Sequence, residues 1–120
     1  MPRILLAEDD DSLRGFIARA LERAGYEVAS CADGEEAAAL LHETWDLLLT
    51  DIVMPGMDGI EVARLAAQKQ PGLRIMFITG FAAVALTAGE RAPAGAKVLS
   101  KPIHLREIVA EVERMMAAAA

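Results

Sequence analysis

Asp51 follows the run Leu47-Leu48-Leu49-Thr50 and precedes Ile52-Val53-Met54-Pro55-Gly56-Met57-Asp58-Gly59, so its carboxylate stands where a strand gives way to a turn. Three other segments close in the same way. Residues 4–7 run into Glu8-Asp9-Asp10-Asp11, residues 75–78 end at Thr79, and Val98-Leu99-Ser100 ends at Lys101-Pro102. If these runs are parallel strands, their polar ends converge on one edge of a sheet. A lone aspartate after a strand is more often a turn or cap residue than a nucleophile. The company Asp51 keeps argues otherwise. A carboxylate attacking a phosphoryl group needs a cation against the transferring oxygens, a fixed positive charge, and a donor to the remaining oxygen. Glu8 and Asp9 with a divalent cation, Lys101, and Thr79 form that set. Taken singly, Lys101 reads as a surface ion-pair partner and Thr79 as a strand-end hydroxyl bonded to backbone. All of them meeting at one sheet edge is poorly explained by coincidence.

Four consecutive carboxylates, Glu8 to Asp11, repel one another, and a divalent cation makes such a cluster tolerable. Hard oxygen ligands suit Mg2+. One of Asp10 and Asp11 is expected to cap the first helix, where the dipole favours negative charge. Capping leaves Glu8 and Asp9 unexplained, since they sit at the strand end itself.

The elements that must position these groups follow from periodicity. Apolar runs of four or five residues alternate with segments of helical period, the pattern of five βα units feeding a parallel sheet. The first helix is expected from Asp11, with Leu13, Phe16, Ile17, Ala20, Leu21 and Ala24 on one face and Gly25 as its stop. Strand two then spans 26–30, and Asp33-Gly34 turns into a helix over 35–43. Trp45-Asp46 leads into strand three, 47–50, with Trp45 and Tyr26 as packing residues at strand starts. The third helix follows Gly59, carries Ile60, Val62, Ala63, Ala66 and Ala67 inward, and stops before Pro71-Gly72, after which 73–78 forms strand four. Gly89, Pro93 and Gly95 restrict a fourth helix to 82–88. Leu105, Ile108, Val109, Val112, Met115 and Met116 recur at helical spacing from His104 onward and define the last helix.

The 120 residues, 54% hydrophobic, fit one domain and leave no room for an output domain. A net charge of -6 offers no basic face for phosphate contacts, which argues against nucleic acid. No glycine loop of the nucleotide-binding kinds follows any strand. Cys31, the single cysteine, excludes an intramolecular disulfide and points to a reducing compartment, the cytoplasm, and no apolar run reaches signal-peptide or membrane-spanning length. His42 and His104 lack partners at metal spacing and are expected on exposed helix faces.

Three motifs and one pair give the chain a family likeness: Ile4-Leu5-Leu6-Ala7-Glu8-Asp9-Asp10, the run from Leu49 through Asp51 to Gly59, Thr79-Gly80, and Ser100-Lys101-Pro102. With them the chain resembles, over essentially its whole length, the receiver domains of two-component response regulators. The resemblance implies a doubly wound (βα)5 fold with a five-stranded parallel sheet in the order 2-1-3-4-5. It implies Asp51 as phosphoacceptor, with Mg2+ held by Asp9 and Asp51, by Glu8 through a water, and by the Val53 carbonyl. Thr79 and Lys101 would bind phosphoryl oxygens. The phosphodonor would be a phosphohistidine on a histidine kinase or phosphotransferase, and the receiver would catalyse transfer and hydrolysis itself rather than act as an enzyme on other substrates. Pro102 matches the family's cis-proline position.

Two departures stand out. The family's switch aromatic lies three residues before the lysine, where this chain has Val98, so the readout is expected through residues 80–95 instead. Positions two beyond Asp51 and two beyond Thr79 are the apolar Val53 and Phe81, beside the path that hydrolytic water takes in the family, which implies slow self-dephosphorylation. A narrower resemblance, carried by residues 3–10, 47–55, 75–86 and 96–102, is to single-domain receivers of alphaproteobacteria. It implies a phosphorylation-controlled adaptor for ClpX and the ClpXP protease in cell-cycle control, active when unphosphorylated. Val98, Lys97 and residues 82–86 would be the output face, and Ala119-Ala120 a signal that an unfoldase reads; a plain helix end explains that tail equally well. A phosphate shuttle or sink in a phosphorelay is the alternative, with the chain a monomer or weak dimer. A phosphatase of the haloacid-dehalogenase kind needs a second aspartate two residues after the nucleophile, where Val53 stands.

Overall fold

The structure, a computed structural model, describes residues 1–80, 91–102 and 104–117. Strands β1 (Arg3–Ala7), β2 (Glu27–Cys31), β3 (Leu47–Asp51), β4 (Arg74–Thr79) and β5 (Lys97–Ser100) form one parallel sheet in the order β2-β1-β3-β4-β5. Four helices, α1 (Asp11–Arg23), α2 (Gly34–Ala39), α3 (Gly59–Lys69) and α4 (Leu105–Ala117), are described with it, α2 being continued by a 3-10 turn, Leu40–His42. The expected doubly wound fold and strand order are both present. β3 is buried at all five positions, as a central strand covered on both faces must be.

Alternation along the strands divides the core in two. Leu5, Leu48, Ile75 and Phe77 join Ile60, Val62, Ala63 and Ala66 of α3 on one face. Ile4, Leu6, Leu47, Leu49, Met76 and Ile78 join Ile17 and Leu21 of α1 and Ile108 and Val112 of α4 on the other. The stripes of α3 and α4 match the sequence reading, with Ala67, Leu105, Val109, Met115 and Met116 half-buried at their margins.

The α1 stripe is narrower than expected. Phe16 is 52% exposed, its ring under the Arg19 guanidinium, because the helix turns Ile17 and Leu21 to the sheet and leaves Phe16 at the edge of that arc. Ala24 is exposed as the C-terminal cap. There the amides of Gly25 and Tyr26 donate to Glu22 O and Leu21 O, with Gly25 at φ +102, a Schellman turn. That turn uses the Tyr26 amide, so β2 starts one residue later than expected, where Glu27 N donates to Pro2 O. Tyr26 and Trp45 are buried packing residues, as expected.

The second helix is shorter than the expected 35–43. Trp45 Nε1 donates to Leu40 O, and Gln70 Nε2 donates to Leu41 O and Glu43 O, so side chains take carbonyls that further helical turns would need. β4 runs to Thr79 rather than stopping at Ile78. His42 and His104 are exposed, and among the described residues no helix is long and apolar enough to cross a membrane. The helix expected over 82–88, Phe81, and the Ala119-Ala120 tail lie outside the described residues.

Candidate functional site

Parallel register places the strand ends side by side: Ala7 pairs with Thr50, Asp51 with Ile78, and Thr79 with Ser100. Beyond β5 the Lys101 amide donates to Thr79 O at 2.6 Å, carrying the lysine to the same edge. Lys101 Nζ lies 2.9 Å from Asp51 Oδ2 and 3.1 Å from Glu8 Oε1. Glu8, Asp9 and Asp51 each offer a carboxylate oxygen within 4.8 Å of the others, Asp9 from the exposed rim and the other two from buried positions. Thr79 is fully buried at the end of β4. The structure therefore brings Glu8, Asp9, Asp51, Thr79 and Lys101 to one edge, and the Lys101-Pro102 bond is cis.

Charge at this edge is unbalanced. Burial, followed by the nearby Asp51 charge, pushes the Glu8 pKa up to about 7, against the Asp10 amide and Lys101, which pull it down. Burial alone would lower the Lys101 pKa, but its hydrogen bonds to Asp51 and Glu8 reverse this and raise it. Three carboxylates against one ammonium leave a demand for positive charge, and an all-oxygen donor set of this kind suits Mg2+ better than a softer metal.

The local structure explains how each group is held. Asp10, not Asp11, caps α1 by accepting from Leu13 N, while its own amide donates to Glu8 Oε2 at 3.0 Å. Asp11 instead pairs with Arg14. The Asp51 carbonyl accepts from Thr50 Oγ1 at 2.8 Å, and Gly59 N donates to Ile52 O at 2.8 Å, closing the β3–α3 loop on itself. Asp58 caps α3 through Glu61 N. Val53 lies in this loop and is 45% exposed. Val98, at the place of the family's switch aromatic, is half-buried in β5 opposite Phe77.

The supporting roles of three residues escaped sequence reasoning. Arg14 donates to Glu8 O at 2.9 Å. Glu35 accepts from Met57 N at 3.0 Å. Gly59 packs so closely that a Cβ there would lie 2.0 Å from Asp51 O. Gly59 carried a usable signal, a glycine at a helix start just after a capping aspartate; Arg14 and Glu35 carried none, because surface charges at helical spacing are ordinary.

A family model for the response regulator receiver domain matches residues 4–113. The response regulator receiver protein CpdR of Brucella abortus is 59% identical over 120 residues, covering 99% of this chain and 100% of that one. The sensor kinase CckA of Brucella abortus is 34% identical, covering 94% of this chain and 12% of that one. Among solved structures, a response regulator receiver protein from Sinorhizobium medicae superposes with a TM-score of 0.92 at 29% identity, covering 99% of this chain and 97% of that one.

Proposed function

The chain belongs to the response regulator receiver family, and from that premise we propose that it accepts a phosphoryl group on Asp51 and controls a protein partner by its phosphorylation state. The observation that carries this is the contact of Lys101 Nζ with both Asp51 and Glu8, with the Asp9 carboxylate beside them. In the proposed step an Asp51 carboxylate oxygen attacks the phosphorus of a phosphohistidine on a kinase or phosphotransferase. The O–P bond forms, the P–N bond breaks, and the bond pair stays on the imidazole, which takes up a proton. Lys101 and Thr79 would hold phosphoryl oxygens, and Lys101 would exchange its Asp51 and Glu8 contacts for them. Asp9, Asp51, Glu8 and the Val53 carbonyl would hold Mg2+, which when bound neutralises charge on the transferring oxygens.

The resemblance to single-domain receivers that serve the ClpXP protease, and the likeness to CpdR over 99% of this chain, support the adaptor role. In this reading the unphosphorylated form engages ClpX, and phosphorylation releases it. The test is binding of purified ClpX with and without Mg2+ plus beryllofluoride, a mimic of the phosphorylated aspartate. ClpX is expected to bind the untreated protein and to leave on addition of the mimic. Normal phosphorylation of Asp51 with no ClpX binding in either state would replace the adaptor with a phosphate shuttle.

A further inference from the structure

Residues 52–58, which carry Val53 away from Asp51, are held differently at their two ends. Near β3 the anchors are apolar: Ile52 and Met54 are buried in the core. Near α3 the loop rests on the start of α2. Glu35 Oε1 accepts from Met57 N at 3.0 Å. Gly34 lies so close that a Cβ there would come within 2.0 Å of Met57 O. Gly56, at φ +73, brings its own Cα against the same carboxylate, where a Cβ would lie 2.2 Å from Glu35 Oε1. Gly34-Glu35 on one element and Gly56-Met57 on the other thus form a matched pair of surfaces, with one charge-assisted hydrogen bond between them.

Glycine at position 56 permits this approach and also permits many other backbone conformations, so the loop's own closure through Gly59 N and Ile52 O leaves its tip open to selection by a contact from outside. Glu35 is placed to make that selection. It stands outside the group formed by Glu8, Asp9 and Asp51 and reaches the site through the backbone of Met57.

We propose that Glu35 is a positioning residue for the metal and phosphoryl site, fixing the β3–α3 loop through the Met57 amide so that the backbone around Val53 is presented in one conformation. The inference rests on the metal reading given above. It is tested by Mg2+ affinity from titration calorimetry and by hydrogen exchange of the Met57 amide, in the unsubstituted chain, Glu35→Ala and Glu35→Gln. Glu35→Ala is expected to weaken Mg2+ binding about fivefold and to speed Met57 exchange, as loss of one solvent-exposed hydrogen bond would. Glu35→Gln keeps an acceptor oxygen and is expected to recover most of both. Unchanged affinity in Glu35→Ala would overturn the proposal. So would equal losses in both variants, which would trace the effect to carboxylate charge acting at a distance. Failure of the unsubstituted chain to bind Mg2+ would instead remove the metal reading itself, and this inference with it.

Discussion

Among the carboxylates and the lysine gathered at the sheet edge, Glu8 is the one whose protonation the fold changes most. Its carboxyl moves from an ordinary pKa of 4.5 to about 7, so the folded chain holds this proton more tightly than the unfolded chain does. The stability from this group is complete below pH 4.5 and is lost as pH rises through about 7. A divalent cation wants the opposite state, the ionised carboxylate, and binding should release the proton. Mg2+ affinity is therefore expected to rise between about pH 5.5 and about pH 8, with proton release large at the acid end and near zero at the alkaline end. Calorimetry in two buffers of different ionisation enthalpy reads both, and pH-independent affinity would separate Glu8 from the metal. Val53 makes a second case at this scale. Its exposed apolar side chain stands two residues beyond Asp51 and offers a hydrolytic water no hydrogen bond. Val53→Asn is expected to shorten the lifetime of phosphorylated Asp51, measured as phosphate release; an unchanged lifetime would end that account. Asp51, Glu8, Thr79 and Lys101 were legible in the sequence because each ends an apolar run in a polar group. Arg14 and Glu35 were not, because their roles are hydrogen bonds to backbone across 6 and 22 positions of chain, which no periodicity records.

At the scale of elements, the start of α3 sets the site, because it packs directly on the end of β3. Gly59 leaves no room for a side chain beside the Asp51 carbonyl, whereas Gly72 has open space around the same atom position. Gly59→Ala is expected to cost about 1–3 kcal/mol as an overpacked contact and to weaken Mg2+ binding by moving the Asp51 backbone. Gly72→Ala is expected to change stability by no more than about 0.5 kcal/mol, as ordinary surface substitutions do. Urea unfolding of both variants decides this, and equal stabilities would refute the close approach. Elements were legible where one periodicity governed the whole segment, as in α3 and α4. They were misread where hydrogen bonds at an end took over: the Schellman turn moved β2 by one residue, and Trp45 and Gln70 cut α2 short. Phe16 shares the apolar type and helical spacing of its neighbours, yet α1 buries a stripe too narrow to hold it as well as Ile17 and Leu21.

For the whole molecule, the decisive fact is that one site is built from chain segments far apart in sequence. Glu8 and Lys101 are 93 residues apart and in contact, with Asp51 from the middle of the chain between them. Runs of apolar residues announced a parallel sheet, but only family resemblance implied the order that makes β1 and β3 neighbours, since strand order leaves no mark in any single run. A site spanning β1, β3, β4 and β5 cannot survive partial loss of the sheet, so whatever binds there stabilises the fold as a unit. Ligand at 100 times its Kd adds about 2.7 kcal/mol. At roughly 4 °C per kcal/mol for a domain of this size, the melting temperature should rise by about 10 °C. Mg2+ with beryllofluoride is expected to produce that shift and Mg2+ alone a smaller one, read by thermal unfolding. Asp51→Asn removes the oxygen that beryllofluoride would occupy and should abolish the difference between the two. A full shift retained in Asp51→Asn would mean that the anion binds elsewhere, and the convergence of four strand ends would then be architecture without the chemistry assigned to it.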